Sequence, residues 1–524
     1  MAKRRRSRER TVAAPRRAEA HPAPSPWVER LSTLAIAGLY ALVFTKHIQL
    51  NAADLGRHLK NGEIILARLA VPTTNEYSYT APDFPFLNHH WGSGVLLHLV
   101  HRVFGFPGLS LFAVVLAVTT FWLFFSVARR ESRFEIAGAA ALVMLPVIGS
   151  RIEIRPEMFS YLWSGVFLSI LWRYARGIDS WRMLVLLPLI EVLWVNTHLY
   201  FFFGLVLVAA FVVEALLLRR RATALVITGA ATALATLANP AGLRGALYPL
   251  SIMGNYGYDV VENQPALLLA RLINFPPTLY FEVALGALAA SWLYAFLADR
   301  RESATPSVAL LLLSLFVSVL AWTAVRNFAL FGWVALVAVS ANLRGLREPA
   351  WFARRRAVFA PVLLGGLALA LVLLHIPYWR GQLAFTGLGV RPGNLEALEF
   401  YRTEGLRGPI FNNFNVGSYL IYGLYPQERV FVDNRPEAYP ATFFSEVLTP
   451  MLRDETRWRE ADERWHFNVI FFAHKDVALG PEFLERRAHD PAWAPVFADD
   501  DLIILVKRDE QNRDVIRRHE LQVE

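Results

Sequence analysis

Several side chains able to do acid–base or ionic chemistry lie at the ends of long apolar segments in this sequence. Asp54 begins a stretch in which the apolar residues recur at helical intervals, and His58 lies one helical turn after Asp54. A carboxylate at that position either caps the exposed N–H groups of the helix or serves as a general base toward a hydroxyl group. The sequence leaves both interpretations of Asp54 open.

Other candidates come from segments that are far apart in the chain. They are the imidazoles His89, His90 and His198, the arginines Arg151, Arg155 and Arg326, and the pair Asp433 and Arg435. A guanidinium group binds phosphate oxygens bidentately, and the neighbouring apolar segments suit a hydrocarbon chain. If these side chains meet, they form a polar cavity suited to an amphiphile with a phosphate head group.

Each candidate also has a purely structural interpretation. Two adjacent loop histidines without a spaced third ligand more often form hydrogen bonds than hold a metal, so we predict no metal site at His89 and His90. Arg151 and Arg155 alternate with carboxylates that can neutralise them. The remaining candidates also have structural interpretations. His198 can cap a helix, Arg326 can extend toward a membrane surface, and Asp433 with Arg435 can form a β-turn.

The elements that must position these residues are predicted to be membrane helices. Of the 524 residues, 55% are hydrophobic and only 19% are charged, which is unlike an ordinary soluble domain. Apolar runs of about 18–20 residues recur, each long enough to cross a bilayer, and they predict a polytopic α-helical membrane protein with about eleven spans. The predicted spans are 31–48, 107–128, 134–150, 157–175, 183–197, 199–218, 223–238, 281–298, 306–323, 327–343 and 357–376. Residues 92–104 form a shorter apolar segment that we predict to be an interfacial helix.

Arginine clusters set the predicted orientation. Arginine-rich loops such as 129–133 and 219–221 alternate along the chain with loops of mixed polarity. Because arginine-rich loops are retained in the cytoplasm, the N-terminus is predicted to be cytoplasmic and the loop at 49–91 external. Reporter fusions after Arg221 and after Arg380 should therefore report opposite sides of the membrane. The net charge of +9 reflects this topology, and we predict no nucleic-acid partner.

Composition divides the chain into three predicted regions. Residues 1–30 form a basic, Pro/Ala-rich tail that we predict to be disordered and cytoplasmic. Residues 31–376 form the transmembrane domain. Residues 377–524 are charged and aromatic, with short strands alternating with helices, and predict a small extracytoplasmic α/β domain. The chain contains no cysteine, which excludes disulfides and thiolate chemistry.

Several motifs resemble a bacterial branch of the GT-C superfamily of membrane glycosyltransferases, and together they cover almost the whole chain beyond the tail. They are DLGRHLKNGEII from Asp54, VPTTNEYSYT from Val71, NHHWGSGVL from Asn88, RPEMFSYL at 155–162, LWVNTHLYFFFGL at 193–205, LANPAGLR at 237–244 and FNNFNVGSYLIYGLYPQERVFVDNRPEAY at 411–439. The sequence departs from the branch pattern at two places. His90 stands where the branch has glutamate, and Gly56-Arg57 replaces an aromatic pair.

The resemblance implies a GT-C fold, a polyprenyl-phosphate-linked sugar as donor and an extracytoplasmic lipid or glycan as acceptor. Asp54 matches the first-loop acidic residue that acts as the catalytic base in the family. The expected enzyme is an inverting hexosyl or pentosyl transferase of the bacterial inner membrane. The resemblance implies no certain cofactor and leaves a divalent metal open, although His90 removes one carboxylate that would help to bind it.

Two functions from other classes stay open. The first is a non-catalytic envelope assembly or binding protein that works through residues 377–524, and the missing carboxylate at position 90 is compatible with it. The second is a secondary transporter. Transporters place ionisable residues near the bilayer midplane within repeated halves, whereas here these residues fall at the ends of the spans and no repeat is visible.

Overall fold

The computed structural model describes residues 26–51, 54–251, 257–258, 260–273, 275–298, 305–474 and 480–522, so the first 25 residues of the predicted tail lie outside it. The helices are α1 (Pro26–Phe44), α2 (Leu55–Arg68), α3 (Trp91–Glu131), α4 (Phe134–Ile148), α5 (Glu157–Ala175), α6 (Leu186–Thr197), α7 (Phe202–Leu217), α8 (Thr223–Ala235), α9 (Gly242–Ala246), α10 (Tyr248–Ser251), α11 (Ala266–Ile273), α12 (Pro276–Leu297), α13 (Val308–Thr323), α14 (Phe328–Asn342), α15 (Ala350–Arg354), α16 (Arg356–Leu374), α17 (Ile376–Ala384), α18 (Glu396–Thr403), α19 (Gly417–Leu424), α20 (Thr449–Arg453), α21 (Glu455–Trp465), α22 (Gly480–Ala488) and α23 (Arg513–His519). The strands are β1 (Ile410–Asn412), β2 (Val469–Ala473), β3 (Trp493–Ala498) and β4 (Leu502–Lys507).

The chain is a multi-pass membrane protein. Within the described ranges, six helical segments are long and apolar enough to cross a membrane: α1, α3, Leu199–Leu217, α12, Val325–Asn342 and α16. Three shorter apolar helices, α4, α8 and α13, accompany them. Each predicted span overlaps a helix, but the number that cross the bilayer stays a prediction.

The segments predicted as an interfacial helix and as the following span lie on either side of a break in α3. Its regular geometry is interrupted at Gly105, where φ is 64° and ψ is −165°. Glycine adopts this positive φ without the steric cost that a side chain would impose. Pro107 lies two residues later and supplies no N–H to the helix, so the two parts of α3 meet at a break.

The bundle is built around α14. Every residue from Phe328 to Asn342 is buried, and the ring of Trp333 packs against Tyr40 of α1 and Phe124 of α3. A helix that is apolar on all sides is typical of a position surrounded by other helices. The contacts with α3, α4, α12 and α13 therefore make α14 the central helix of the membrane region.

Charged residues of the predicted cytoplasmic loops meet at one end of this bundle. Glu131 at the end of α3 accepts hydrogen bonds from Arg176 and Arg344, which follow α5 and α14. Glu348 similarly pairs with Arg133 and Arg356. The arginine-bearing segments after α3, α5 and α14 thus share one end of the molecule, as the orientation argument requires of them. Which side of the membrane this end faces stays a prediction.

The C-terminal part contains a four-stranded sheet in the order β1-β2-β4-β3. β1 and β2 are parallel, whereas β4 pairs with both β2 and β3 in antiparallel register. Residues 429–432, a short apolar run that favours a strand, form only an isolated bridge between Val430 and Ser78 in the described structure. That bridge joins the C-terminal part to the loop at 49–91, and the domain boundary at residue 377 stays a prediction.

The helix that carries Asp54 and His58 is held tightly on two sides. A Cβ atom added to Gly56 would lie 2.5 Å from the Ser418 carbonyl oxygen of α19, and one added to Gly62 would lie 2.2 Å from the Gly94 carbonyl oxygen of α3. Both glycines therefore permit close packing of backbones. The departure from the family pattern at Gly56 has a physical reason, because an aromatic side chain there would displace α19.

Candidate functional site

Four histidines from three segments form a cluster around His90. Its ring centroid lies 3.8 Å from that of His89, 5.5 Å from that of His58 on α2 and 5.2 Å from that of His198. His89 and His90 precede α3, and His198 lies in the turn after α6. The structure thus brings together four of the imidazoles that the sequence singled out.

All four imidazoles are held in their neutral form. Burial, which removes the solvation of an imidazolium ion, lowers the pKa of His89 to about 4 and places the pKa values of His58, His90 and His198 well below their usual range. Nearby charges such as Arg57 add to the effect. At neutral pH these rings therefore act as hydrogen-bonding groups and not as cations.

Their hydrogen bonds assign the tautomers of two rings. The Arg57 guanidinium donates to His58 Nε2 at 3.3 Å, so the ring proton of neutral His58 lies on Nδ1. The Trp194 indole donates to Ser160 Oγ at 2.7 Å, and Ser160 in turn donates to His198 Nδ1 at 2.7 Å. Because the backbone N–H of Tyr200 also donates to His198 Nδ1, the proton of His198 lies on Nε2.

The segments that carry the histidines also contain buried polar atoms without a hydrogen-bond partner. Among the described residues, His58 Nδ1, His90 Nε2, Asn61 Nδ2 and both amide atoms of Asn88 are buried and have no hydrogen bond. Unpaired buried polar groups are costly, so such atoms call for a ligand that pairs with them. Sequence reasoning missed Asn61 and Asn88, although Asn61 lies three residues after His58 on the same face of α2.

The arginines predicted to bind phosphate form a second, ionic part of the site. Arg151 pairs with Glu157 at 2.6 Å and with Glu262 at 3.0 Å, and Arg155 shares Glu262 at 2.5 Å. Burial disfavours the charge of Glu262, but Arg151 and Arg155 outweigh it and hold the pKa of this carboxyl far below its usual value. Nothing in the local sequence pattern predicted a role for Glu262, which a separate loop brings to the arginines.

Arg155 and Arg326 each have an N–H group without a hydrogen-bond partner. Arg326 Nη1 donates to Asn263 Oδ1 at 2.8 Å, whereas Arg326 Nε and Arg155 Nε are buried without a partner. A guanidinium edge with an unused N–H can bind an anionic oxygen without breaking a bond inside the protein. The arrangement suits a phosphate beside Arg155 and Arg326.

Asp54 occupies the N-cap position of α2 but makes no capping hydrogen bond with its side chain. The cap interpretation therefore has no support in the geometry. Burial opposes protonation of Arg155, yet the carboxylates of Glu262 and Asp54 raise its pKa above the usual value. Asp54 is half-buried and lies within electrostatic reach of the arginine cluster. This is where a base for an incoming hydroxyl would act.

Asp433 and Arg435 bind each other. Arg435 donates to Asp433 through Nε and Nη2, at 2.7 Å in each case, and the two residues are 2% and 0% exposed respectively. Arg435 also donates to Asn75 Oδ1 at 2.7 Å, and its guanidinium stacks over Phe86. The pair thus attaches the loop at 49–91 to the C-terminal part, which supports the structural interpretation over ligand contact.

No group of three or more His, Asp or Glu side chains in the described ranges is arranged to hold a metal ion. The rings of the histidine cluster are stacked or edge-on to one another. The described residues therefore do not fit a metal ion.

The neutral histidines make stability depend on pH. An unfolded imidazole titrates near 6.5, whereas folded His89 titrates at about 4, so between these values the unfolded state binds more protons. The free energy of unfolding should therefore fall as the pH drops from about 6.5 to about 4, by about 3 kcal/mol for this residue. Thermal unfolding in detergent at pH 7.5 and pH 4.5 measures the loss. His89→Gln should reduce it, and an equal loss in both proteins would contradict the assignment.

The fold and the site together define a class of protein. Apolar helices form a bundle that carries buried arginines and neutral hydrogen-bonding groups at one end, and a small α/β layer covers that end. Such a molecule is a membrane protein able to hold a polar, anionic head group next to hydrocarbon.

No protein-family model and no curated protein matches the sequence. Solved structures do match. The Archaeoglobus fulgidus oligosaccharyltransferase in its apo form is 13% identical, with 86% of this chain and 69% of that chain covered and a TM-score of 0.58. ArnT from Cupriavidus metallidurans, bound to undecaprenyl phosphate, is 14% identical over 93% of this chain and 98% of that chain, with a TM-score of 0.52.

The mycobacterial arabinofuranosyltransferase AftD is 15% identical, with 94% of this chain but only 42% of that chain covered and a TM-score of 0.52. All three are GT-C glycosyltransferases, so this chain has the GT-C fold. The GT-C fold expected from the sequence motifs is thereby confirmed. At these identities the likeness shows the fold, and the activity requires its own argument.

Proposed function

We propose that this protein is a membrane glycosyltransferase that moves a sugar from a polyprenyl phosphate to an extracytoplasmic lipid or glycan hydroxyl. The observation that carries the proposal is the juxtaposition of an uncapped carboxylate, buried arginines with unused donors and neutral unpaired imidazole and amide groups. These three features match the three chemical parts of the reaction, namely the acceptor hydroxyl, the phosphate and the sugar.

The arginines suit the lipid phosphate. Arg155 and Arg326 would donate to its oxygens, and the apolar helices below would contact the prenyl chain. The ArnT structure that shares this fold contains undecaprenyl phosphate, which supports a polyprenyl phosphate as partner. In the reaction the bond between the anomeric carbon and the phosphate oxygen breaks, and the leaving phosphate takes the electron pair. Positive charge held close to that oxygen stabilises the transition state.

The neutral groups suit the sugar. His58, His90, Asn61 and Asn88 offer donors and acceptors without charge, and sugar hydroxyls require both. His90 would thus contact the donor sugar where the family pattern has a carboxylate.

Asp54 would remove the acceptor proton as the acceptor oxygen attacks the anomeric carbon. The new C–O bond forms on the face opposite the departing phosphate, so the sugar is transferred with inversion as a hexosyl or pentosyl unit. The products are the glycosylated acceptor and a polyprenyl phosphate, and the proton resides on Asp54 until solvent takes it. The proposed setting is the bacterial inner membrane, with this site on the external side.

Donor binding tests the phosphate assignment. Arg326→Ala should weaken the binding of a polyprenyl-phosphate sugar by about 10–100-fold, because a charge-assisted hydrogen bond is worth about 1.5–3 kcal/mol. Native mass spectrometry of the detergent-solubilised protein with the lipid-linked sugar measures it. Arg244→Ala is the matched control, since it removes an exposed arginine of α9. Equal donor affinity in the Arg326 variant and the parent would remove Arg326 from the site.

A further inference from the structure

A second cavity, of about 600 Å³, lies on the opposite side of α2 from the candidate site. Helical spacing places Asp54, His58 and Asn61 on one face of α2, whereas Leu59 and Glu63 line the cavity on the other. The remaining walls come from the first part of α3 and from α18 and α19. The volume lies within the range of roughly 300–1,000 Å³ that small-ligand sites occupy.

The charged groups of this cavity balance one another. Lys60 and Glu63 form an ion pair at 2.8 Å, and α18 contributes Glu399 and Arg402 three residues apart. Two cations beside two carboxylates leave no excess charge to attract a phosphate or a sugar acid. The same four side chains supply many donors and acceptors, which is what a neutral polyhydroxylated ligand requires.

Several aromatic rings lie at the remaining wall of the cavity. Tyr422 of α19 and His101 of α3 meet edge to face with their ring centroids 6.0 Å apart, and Phe106 packs against both rings. The face of an aromatic ring carries negative charge density, and it attracts the weakly positive C–H edge of a sugar ring. Aromatic faces beside planar hydrogen-bonding groups therefore favour a saccharide over an aliphatic ligand.

We propose that this cavity is a saccharide-binding site that holds distal sugar units of the acceptor glycan while its reacting hydroxyl is at Asp54. The cavity and the candidate site share α2 as a wall, so they are separated by about the diameter of one helix, ~10 Å. A glycan of several units can span that distance. The identification of the saccharide as acceptor rests on the proposed function, whereas saccharide binding by the cavity does not.

A glycan array probed with the full-length, detergent-solubilised protein tests the site. At least one neutral glycan should bind, and the double variant Glu399→Gln/Arg402→Gln should bind it at least about tenfold more weakly, since each lost charged hydrogen bond costs about that factor. Both residues are exposed, so the variant should fold normally. The control Glu396→Gln changes an exposed residue of α18 outside the cavity lining, and it should bind the glycan as tightly as the parent protein.

Three results would overturn this site: no neutral glycan is bound, only acidic glycans or anionic lipid vesicles are bound, or the double variant binds as well as the parent. The proposed transferase function fails by a different result, namely full transfer by Asp54→Asn. If the protein transfers sugar but its binding of neutral glycans does not depend on Glu399 and Arg402, the proposed function stands and the proposed saccharide site is wrong.

Discussion

Asp54→Asn should abolish most sugar transfer while leaving the protein folded in the membrane. The substitution keeps the volume of the side chain and removes its capacity to accept a proton. Positioned bases commonly contribute roughly 10²–10⁴-fold to a rate, so transfer should fall by about that factor. Because Asp54 makes no capping hydrogen bond, the free energy of unfolding should change by less than the ~1 kcal/mol that a lost cap costs. Transfer from a radiolabelled polyprenyl-phosphate sugar measures the effect.

Asp83→Asn is the matched control, since Asp83 is an exposed carboxylate in the same external loop. It should transfer at the rate of the parent. Donor binding separates Asp54 from the arginines, because the Asp54 variant should retain the lipid-linked sugar that Arg326→Ala binds poorly. Full transfer by the Asp54 variant would show that another group is the base. If neither variant altered any glycan, but deletion of residues 377–524 gave a phenotype, the assembly or binding protein would be the better interpretation.

Arg435→Met should cost the largest amount of stability among the site variants, about 3–5 kcal/mol. It removes the cation from Asp433, a carboxylate that is 0% exposed and would remain buried without its charge partner. The loss should appear as a lower unfolding temperature in detergent and as faster cleavage by chymotrypsin in the loop around Tyr77 and Phe86. The guanidinium of Arg435 stacks over both rings, with centroid distances of 4.9 and 4.5 Å.

The double variant Asp433→Leu/Arg435→Met is the control for this interpretation. It removes both charges, so no buried ion is left without a partner, and it should recover a large part of the lost stability. A double variant that is less stable than Arg435→Met would mean that the hydrogen bonds of Asp433 to the Arg435 N–H and the Tyr439 hydroxyl matter more than charge balance.

The sequence by itself determined the helices and the chemistry of the residues at their ends. Apolar length and period are local properties, and the predicted spans accordingly overlap helices of the structure, with α5 matching the prediction at 157–175. The sheet strands β2 and β4 were also predictable, because short apolar runs bounded by turn residues favour buried strands. Asp54, His90 and Arg155 were recognisable as candidates from residue type and from motif resemblance.

Only the tertiary structure decided which of these residues share a site. His58, His90 and His198 come from segments separated by up to 140 positions, and their proximity depends on how α2, α3 and α6 pack. Whether a carboxylate caps a helix or stays available also depends on geometry, which left Asp54 uncapped. The contacts of Arg435 with Asn75 and Phe86, the role of Glu262 and the need for Gly56 all arise from contacts between distant segments. Such contacts follow from packing of the whole chain, and neither residue type nor local period encodes them.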